Sequence, residues 1–372
     1  MPHPRKRFSQ ALRRWLQVFA SPVREEDDGG RAGVAIHTYR GYGSHSEIYL
    51  MGRVFRQSRV GRSMKQSFWR DILDVLRRIT RRGMPGVNVA VRFGDSHTVV
   101  DTDTDGYFRA HMMINEPLTP NKVWHKAELK VLFRNETFKA RAAIYIPPLE
   151  TDYVVVSDID DTVMYTGVAN KAKMMIRLFF EKADRRAAFP GVAAFYQSLF
   201  DGGEDRKRPL LYVSRAPWTI YEMLVEFFRM HRIPEGPVLF LREWGLSWKS
   251  PLPRKAVHHK QMVIRQMMQL YKEQSFILIG DSGQKDPEVY TQMVREFPSR
   301  IKTIYIRSID ENPERDKSIS ELAREVHETG STLVLAKDTV NMARHALSQG
   351  YISKEGFAAV QEEARKDEAI SD

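Results

Sequence analysis

The sequence predicts an α/β protein in which a small antiparallel β-sandwich precedes a parallel sheet covered by helices. Two patterns support this prediction. Within residues 34–148, apolar and polar residues alternate along several short runs, which is typical of half-buried antiparallel strands. From residue 149 onward, short wholly apolar runs alternate with longer segments of helical spacing, which is typical of parallel strands buried on both faces.

The alternating runs predict four strands of the sandwich. They span 87–93, 108–114, 127–133 and 138–146. Several such strands with turn residues between them build a small sandwich. One segment near 64–82 instead carries apolar residues at helical spacing beside several arginines, so we expect a basic helical insertion there. The proline pair at 147–148 predicts the end of this domain.

The wholly apolar runs predict five strands of the parallel sheet. They span 153–156, 210–213, 238–241, 276–279 and 301–306. In sheets of this kind, the functional site gathers beyond the carboxyl ends of the strands. We assign residues 149–350 to this domain and residues 351–372 to a C-terminal helix and tail.

The chain is basic, with a net charge of +11 over 372 residues, which favours nucleic acid, an anionic membrane or an acidic substrate as partner. No nucleic-acid-binding motif is present, so we expect no specific nucleic acid partner. The absence of cysteine excludes disulfides and thiolate metal sites. The sequence contains no apolar run long enough to span a bilayer and no secretory signal, so we expect a cytoplasmic protein.

Residues 1–33 form a basic N-terminal arm in which apolar side chains recur at helical spacing. These side chains are Phe8, Leu12, Trp15 and Phe19. A basic amphipathic helix of this kind can lie on an anionic membrane surface, which would make the protein membrane-associated. The alternative is a terminal helix that packs on the body of the protein or stays disordered.

Polar residues that suit phosphate chemistry follow the predicted parallel strands. An acidic pair follows the first strand, a serine ends the second, a lysine lies near the start of a later helix, and a second acidic pair follows the fourth strand. In chain order these residues are Asp158, Asp160, Ser214, Lys260, Asp281 and Asp286. Because the carboxyl ends of parallel strands meet at one edge of a sheet, we expect these side chains to converge.

The acidic residues of this set can bind Mg²⁺, which prefers hard oxygen ligands. Asp158, Asp281 and the backbone carbonyl of Asp160 can supply the protein ligands. Asp286 completes the metal site, where its expected role is to orient Lys260 or a metal-bound water. A bound Mg²⁺ would remove the repulsion between Asp158 and a phosphate dianion.

The remaining roles also match phosphoryl transfer, since a phosphomonoester is an anion that reacts very slowly without catalysis. Ser214 can donate a hydrogen bond to a phosphoryl oxygen, and Lys260 can neutralise a second one. Asp160 can act as general acid on the leaving oxygen and then as base for the hydrolytic water.

The four motifs resemble those of the haloacid dehalogenase phosphatases, and the residues around them are similar to the catalytic domain of the actin-patch-associated phosphatidate phosphatases. The segments that carry the resemblance are Asp-Ile-Asp-Asp-Thr (158–162), Tyr-Val-Ser-Arg-Ala-Pro-Trp (212–218), His-Lys (259–260) and Gly-Asp-Ser-Gly-Gln-Lys-Asp-Pro-Glu (280–288). The resemblance covers residues 150–350. It implies a Rossmann-like parallel sheet of the haloacid dehalogenase type, Mg²⁺ dependence and an aspartyl-phosphate intermediate on Asp158. It also implies phosphatidic acid or a related lipid phosphate as substrate.

The segment 166–190 has room for only a short helical insertion, so we expect a small cap that leaves the phosphate pocket open to a bulky or surface-bound substrate. Together with the basic arm and the basic insertion, this feature favours a lipid headgroup at an anionic membrane. Two alternatives stay open. One is a phosphatase of a phosphoprotein or soluble phosphoester, and the other is a non-enzymatic membrane or protein adaptor with a vestigial phosphatase domain.

Overall fold

The computed structural model describes residues 33–57, 83–119, 122–159, 188–202, 207–217, 221–242, 256–309 and 312–371. The predicted arm up to residue 32, the helical insertion near 64–82 and most of the predicted cap lie outside the described residues. Two sheets organise the described part, one before and one after the proline pair at 147–148. Within the described ranges, none of the helices is both long and apolar enough to cross a bilayer.

The first sheet contains eight strands. They are β1 (Gly33–Thr38), β2 (Gly41–Gly43), β3 (Glu47–Gln57), β4 (Asn88–Phe93), β5 (Ser96–Asp101), β6 (Tyr107–Met113), β7 (Trp124–Phe133) and β8 (Glu136–Tyr145). Their order is β1-β3-β2-β8-β7-β4-β5, and β6 pairs with β3. The pairing is antiparallel except between β2 and β8, which are parallel. Inward side chains from β3, β4, β6, β7 and β8 share one core, so the two ends of this sheet fold over each other.

The four predicted antiparallel strands correspond to β4, β6, β7 and β8, whereas alternation along the sequence does not reveal β3. On β3, Ile48, Leu50 and Val54 point inward and are buried, but Gly52 stands between them on the same face. A Cβ at Gly52 would lie 2.4 Å from the ring of Phe108, so this ring fills the space that a side chain would need. The glycine therefore interrupts the apolar pattern that would otherwise identify the strand.

The second sheet contains six parallel strands and is flanked by seven described helices. The strands are β9 (Tyr153–Asp158), β10 (Leu210–Pro217), β11 (Val238–Arg242), β12 (Ser275–Asp281), β13 (Ile301–Arg307) and β14 (Thr332–Ala336). The helices are α1 (Val192–Asp201), α2 (Tyr221–Met230), α3 (Ala256–Leu270), α4 (Asp286–Glu296), α5 (Pro313–Glu328), α6 (Thr339–Ser348) and α7 (Lys354–Ser371). All five predicted parallel strands are present, and β14 is an additional edge strand. The prediction of an α/β protein with an antiparallel and a parallel sheet is confirmed.

Side chains of the parallel strands alternate between two buried layers. Val155 and Ile277 pack on one face with α1, α2, α6 and α7. Val154, Val156 and Leu278 pack on the other face with α3, α4 and α5. This double burial explains why these strands are wholly apolar in sequence.

The strand order of the parallel sheet is β11-β10-β9-β12-β13-β14. The chain therefore leaves β9 toward β10 on one side and later returns to place β12 on the other side. At such a reversal a crevice opens beyond the carboxyl ends of the two central strands. The fold thus places the ends of β9 and β12 next to each other at the site of this crevice.

Contacts between the two sheets include the loops that precede β10 and β11. The Tyr145 hydroxyl donates to the backbone carbonyl of Lys207 at 2.5 Å, and Arg40 forms an ion pair with Glu235 at 2.6 Å. Both loops lie at the amino ends of the parallel strands. These contacts therefore support the edge of the parallel sheet opposite the one where the predicted polar residues gather.

Arg208, just before β10, is a buried cation that joins three segments around the parallel sheet. Its guanidinium donates to Asp152 Oδ1 at 2.7 Å and Oδ2 at 2.8 Å, and to the backbone carbonyl of Tyr351 at 2.6 Å. It also lies 4.8 Å from the ring centre of Tyr153. The residue is 2% exposed, so its charge depends on these partners rather than on water.

Replacing Asp152 with alanine is expected to lower the free energy of unfolding by about 3 kcal/mol, because it leaves a buried guanidinium without its carboxylate. Glu226→Ala removes an exposed ion pair with Arg229 and is expected to have a much smaller effect. Urea denaturation followed by circular dichroism measures both variants. Equal destabilisation by the two substitutions would contradict the structural role of the Arg208 ion pair.

Candidate active site

Three of the predicted site residues lie on neighbouring strands of the parallel sheet, two of them at the carboxyl ends. Asp158 ends β9 and Asp281 ends β12. Ser214 lies on β10, one position beyond Val213, which is paired with Asp158. All three side chains are buried, and both aspartates are 0% exposed. The structure therefore brings these residues together where the strand order reverses.

A cluster of three buried carboxylates forms the centre of this site. One oxygen atom from each of Asp158, Asp281 and Asp286 lies within 4.8 Å of the others. Asp286 is the first residue of α4 and is 1% exposed. Three carboxylates so close together and away from water repel one another, so the cluster requires positive charge.

Lys260, near the start of α3 as predicted, supplies part of this charge. Its Nζ donates to Asp158 Oδ1 at 2.7 Å and also to Asp286 Oδ1. Burial by itself would lower the pKa of Lys260, but the two carboxylates outweigh burial and raise this pKa above its ordinary value. The lysine therefore stays protonated and bridges the aspartate at the end of β9 to the aspartate at the start of α4.

Gln284 is a member of the site that the motif pattern does not single out. Its side-chain amide donates to Asp281 Oδ2 at 2.7 Å and to Asp158 Oδ2 at 3.3 Å. Its backbone N–H donates to Asp281 Oδ1 at 2.8 Å. An uncharged side chain carries no electrostatic signal in the sequence, and only its place in the 280–288 segment connects it with the site. In the structure its amide offsets the repulsion between two carboxylates.

Gly280 makes the close approach of Asp286 possible. A Cβ at this position would lie 2.3 Å from Asp286 Oδ2 and 2.7 Å from Asp286 Cβ. The same Oδ2 accepts a hydrogen bond from the backbone N–H of Asp281 at 3.3 Å. The glycine therefore lets a helix-borne carboxylate pack directly against the end of β12.

Arg315 on α5 holds the loop that joins β12 to α4. Its Nε donates to the backbone carbonyl of Ser282 at 2.8 Å, and its Nη2 donates to the backbone carbonyl of Gln284 at 2.7 Å. The same guanidinium binds both carboxylate oxygens of Glu288, at 2.6 and 3.0 Å. Two loop carbonyls and the first turn of α4 are thus fixed by a single side chain.

The donor set fits a small divalent cation. Among the described residues, three carboxylates and one ammonium leave a formal charge of −2, from three negative charges and one positive. Carboxylate oxygens are the ligands that Mg²⁺ prefers. The amide hydrogens of Gln284 already lie between Asp158 and Asp281, so this space accepts a group of positive character. Asp160, the remaining predicted member of the site, lies outside the described residues.

Residues 153–308 match the sequence model of a family described as the catalytic domain of phosphatidate phosphatase APP1. The matched segment contains Asp158, Ser214, Lys260 and the loop after β12. This match confirms the predicted resemblance to the catalytic domain of the phosphatidate phosphatases.

Two curated fungal proteins are similar to the chain. It is 29% identical over 215 residues to the phosphatidate phosphatase APP1 of Saccharomyces cerevisiae, which covers 56% of this chain and 35% of the yeast protein. It is 24% identical over 212 residues to an uncharacterized protein of Schizosaccharomyces pombe, which covers 56% of this chain and 34% of that protein. The chain thus spans about a third of the length of these relatives.

The likeness to solved structures is weak. A carbohydrate acetylesterase from Xanthomonas citri superposes with a TM-score of 0.27 at 9% identity, covering 78% of this chain and 73% of that one. A similarity of this size supports no conclusion about fold or activity.

Arg315→Ala is expected to weaken Mg²⁺ binding by about tenfold or more, because residues that orient metal ligands typically contribute that much to affinity. Calorimetric titration of the purified protein with Mg²⁺ measures this change directly. The expected physical cause is loss of the fixed loop between Asp281 and Asp286.

Arg295→Ala is the matched control, since Arg295 and Glu325 form a second bidentate ion pair between α4 and α5 on the exposed surface. It is expected to leave Mg²⁺ affinity unchanged. Equal loss of affinity in both variants would show that any α4–α5 ion pair has this effect and would contradict the specific role of Arg315.

Proposed function

We propose that this chain, whose residues 153–308 are similar to the catalytic domain of phosphatidate phosphatases, is a Mg²⁺-dependent phosphatase of the haloacid dehalogenase type. It hydrolyses a phosphomonoester through an aspartyl-phosphate on Asp158. The observation that carries this proposal is the buried cluster of Asp158, Asp281 and Asp286, bridged by Lys260 at the carboxyl edge of the parallel sheet.

Asp158 is the nucleophile in this proposal. Lys260 binds Oδ1 at 2.7 Å and so fixes the carboxylate, which leaves Oδ2 as the oxygen that attacks phosphorus. The Gln284 amide, 3.3 Å from Oδ2, restricts rotation of the same carboxylate. Holding the nucleophile in place before the substrate arrives removes part of the entropic cost of the reaction.

Two displacements complete the reaction. In the first, Asp158 Oδ2 bonds to phosphorus, the ester P–O bond breaks, and the leaving oxygen takes a proton from Asp160. In the second, water attacks the same phosphorus, Asp160 takes its proton, and the bond to Asp158 breaks to release inorganic phosphate. Ser214, on β10 one position beyond the partner of Asp158, donates a hydrogen bond to a phosphoryl oxygen, and Lys260 contributes positive charge.

The residues that would hold Mg²⁺ are Asp158, Asp281, Asp286 and the backbone carbonyl of Asp160. When bound, Mg²⁺ supplies the positive charge that allows a phosphate dianion to approach a carboxylate nucleophile. Asp286 also contacts Lys260, so it positions the lysine as well as the metal site.

The substrate we propose is phosphatidic acid or a related lipid phosphate in an anionic membrane surface. In this proposal the protein is cytoplasmic and acts at that surface. The name of the yeast relative, the short segment available for a cap and the net charge of +11 support this choice. Hydrolysis of a soluble phosphoester or phosphoprotein is the alternative enzymatic function. The buried carboxylate–lysine cluster disfavours a non-enzymatic adaptor, because an adaptor gains nothing from burying these charges.

Asp158→Asn is expected to reduce phosphate release from phosphatidic acid in mixed micelles by at least about a thousandfold, because an amide cannot form the aspartyl-phosphate. Asp95→Asn removes the same charge at an exposed turn and is expected to keep the wild-type rate. Phosphate release is measured with and without Mg²⁺, after circular dichroism has verified that each variant is folded.

A soluble aryl phosphate assayed beside the lipid separates the substrate from the chemistry. Cleavage of the aryl phosphate alone would support the proposed phosphatase activity and reject the proposed lipid substrate. Cleavage of neither compound by folded wild-type protein would reject the phosphatase and favour the adaptor. A rate for Asp158→Asn equal to the wild-type rate would reject Asp158 as nucleophile.

Mg²⁺ is expected to raise the unfolding temperature of the wild-type protein, because a cation that binds only the folded state stabilises it by about 2.7 kcal/mol at about a hundred times its Kd. Asp281→Asn is expected to lose most of this increase, since it removes one carboxylate ligand. Differential scanning fluorimetry with Mg²⁺ and with a chelator measures both, without any turnover. The same increase in both proteins would exclude Asp281 as a ligand.

A further inference from the structure

The outward face of strands β4, β7 and β8 is strongly basic. Its five basic side chains are exposed, and they are Arg92, Lys126, Lys130, Lys139 and Arg141. We call this surface, together with the outward face of the neighbouring β5, the basic face. Glu128 and Asp101 also lie on it, so its formal charge is +3, from five positive and two negative residues.

The strand register places like charges directly opposite each other on this face. Lys130 on β7 pairs with Lys139 on β8, and Ala90 and Val99 continue the same row across β4 and β5. Two lysines directly opposite each other in an antiparallel pair destabilise the sheet. The fold does not require this pair, since outward positions of a sheet accept most polar residues.

Glu128 offsets part of the positive charge of the basic face, since it binds Arg92 and lies directly opposite Arg141 in the strand register. Glu128 is bound to Arg92 at 2.8 Å, and this hydrogen bond lowers the pKa of Glu128, so the carboxylate stays ionised. A shallow groove of about 520 Å³ runs beside it, and its lining includes Lys130, Lys139 and Arg141. Glu128 also lines the groove, so three positive residues and one negative residue give it a formal charge of +2 beside space for an anionic group.

The basic face also carries exposed apolar side chains. Leu132 is 69% exposed on the same face of β7 as Lys130, next to the β7–β8 turn. Val99 on β5 is 60% exposed in the row of the two lysines. Basic residues beside exposed aliphatic side chains suit a lipid surface, where anionic headgroups lie above an apolar layer. Nucleic acid would use the charge but offers no comparable contact for the aliphatic groups.

We infer that the basic face binds an anionic lipid membrane. Lys130, Lys139 and Arg141 contact the headgroups, and Leu132 and Val99 enter the interfacial layer. The antiparallel sheet thereby serves as the membrane-binding element of the chain. Because binding needs no turnover, the Asp158→Asn protein binds as the wild type does, and failure of the phosphatase assignment would leave this inference standing.

The test is sedimentation of the 372-residue chain with vesicles of phosphatidylcholine and phosphatidylserine, compared with vesicles of phosphatidylcholine alone. The double variant Lys130→Gln and Lys139→Gln is expected to bind the anionic vesicles about 25-fold more weakly, at about fivefold for each charge removed. Added salt is expected to weaken wild-type binding, because screening reduces the attraction. Leu132→Ser is expected to weaken vesicle binding while leaving binding to duplex DNA unchanged.

The control is the double variant Lys272→Gln and Lys302→Gln, which removes the same charge from exposed positions of the other domain. Its affinity for the anionic vesicles is expected to lie within about twofold of the wild-type affinity, because charges farther from the membrane than the screening length contribute little. An equal loss of vesicle binding in the two double variants would show that only the net charge of the protein matters. This result would overturn the inference. Wild-type binding to DNA as tight as to vesicles, with no effect of Leu132→Ser, would identify a general polyanion surface and would also overturn it.

Discussion

The ion pairs that Lys260 forms with Asp158 and Asp286 are the interaction on which the site depends. Three carboxylates within 4.8 Å of one another repel each other in a buried volume, and a cation among them offsets this repulsion. Burial removes the ammonium group of Lys260 from water, and the two carboxylates that surround it offset this desolvation cost. Each charged group is therefore stable in the presence of the others, and the cluster forms only once β9, α3 and α4 have packed together.

This constraint explains the glycine and the arginine around the cluster. Gly280 leaves room for Asp286 against the end of β12, and Arg315 fixes the backbone of the loop between them. The family match ends at residue 308, whereas Arg315 belongs to α5. The geometry of the site therefore extends beyond the segment that identifies it, and α5 supports the loop between β12 and α4.

The polar site and the exposed basic surface lie on different sheets. The parallel sheet brings polar residues together at its carboxyl edge, and contacts such as Tyr145 with Lys207 and Arg40 with Tyr221 attach the antiparallel sheet to the elements around it. This attachment leaves one outward face of the antiparallel sheet exposed, with Lys130 and Lys139 side by side. The proposed catalytic site and the proposed membrane-binding face thus belong to different sheets, so substitutions can test each of them separately.

The sequence by itself determined the two kinds of sheet, because alternation and wholly apolar runs report local burial. It also pointed to most of the polar residues of the site, because Asp158 and Asp281 end their strands and Ser214 follows a wholly apolar run. Only the tertiary structure identified Gln284 and Arg315. Their roles come from hydrogen bonds to groups on other elements, and nothing in their local sequence encodes those distances. The strand β3 also needed the tertiary structure, since the ring of Phe108 replaces the side chain missing at Gly52. Local patterns are set by neighbours along the chain, whereas these features are set by neighbours in space.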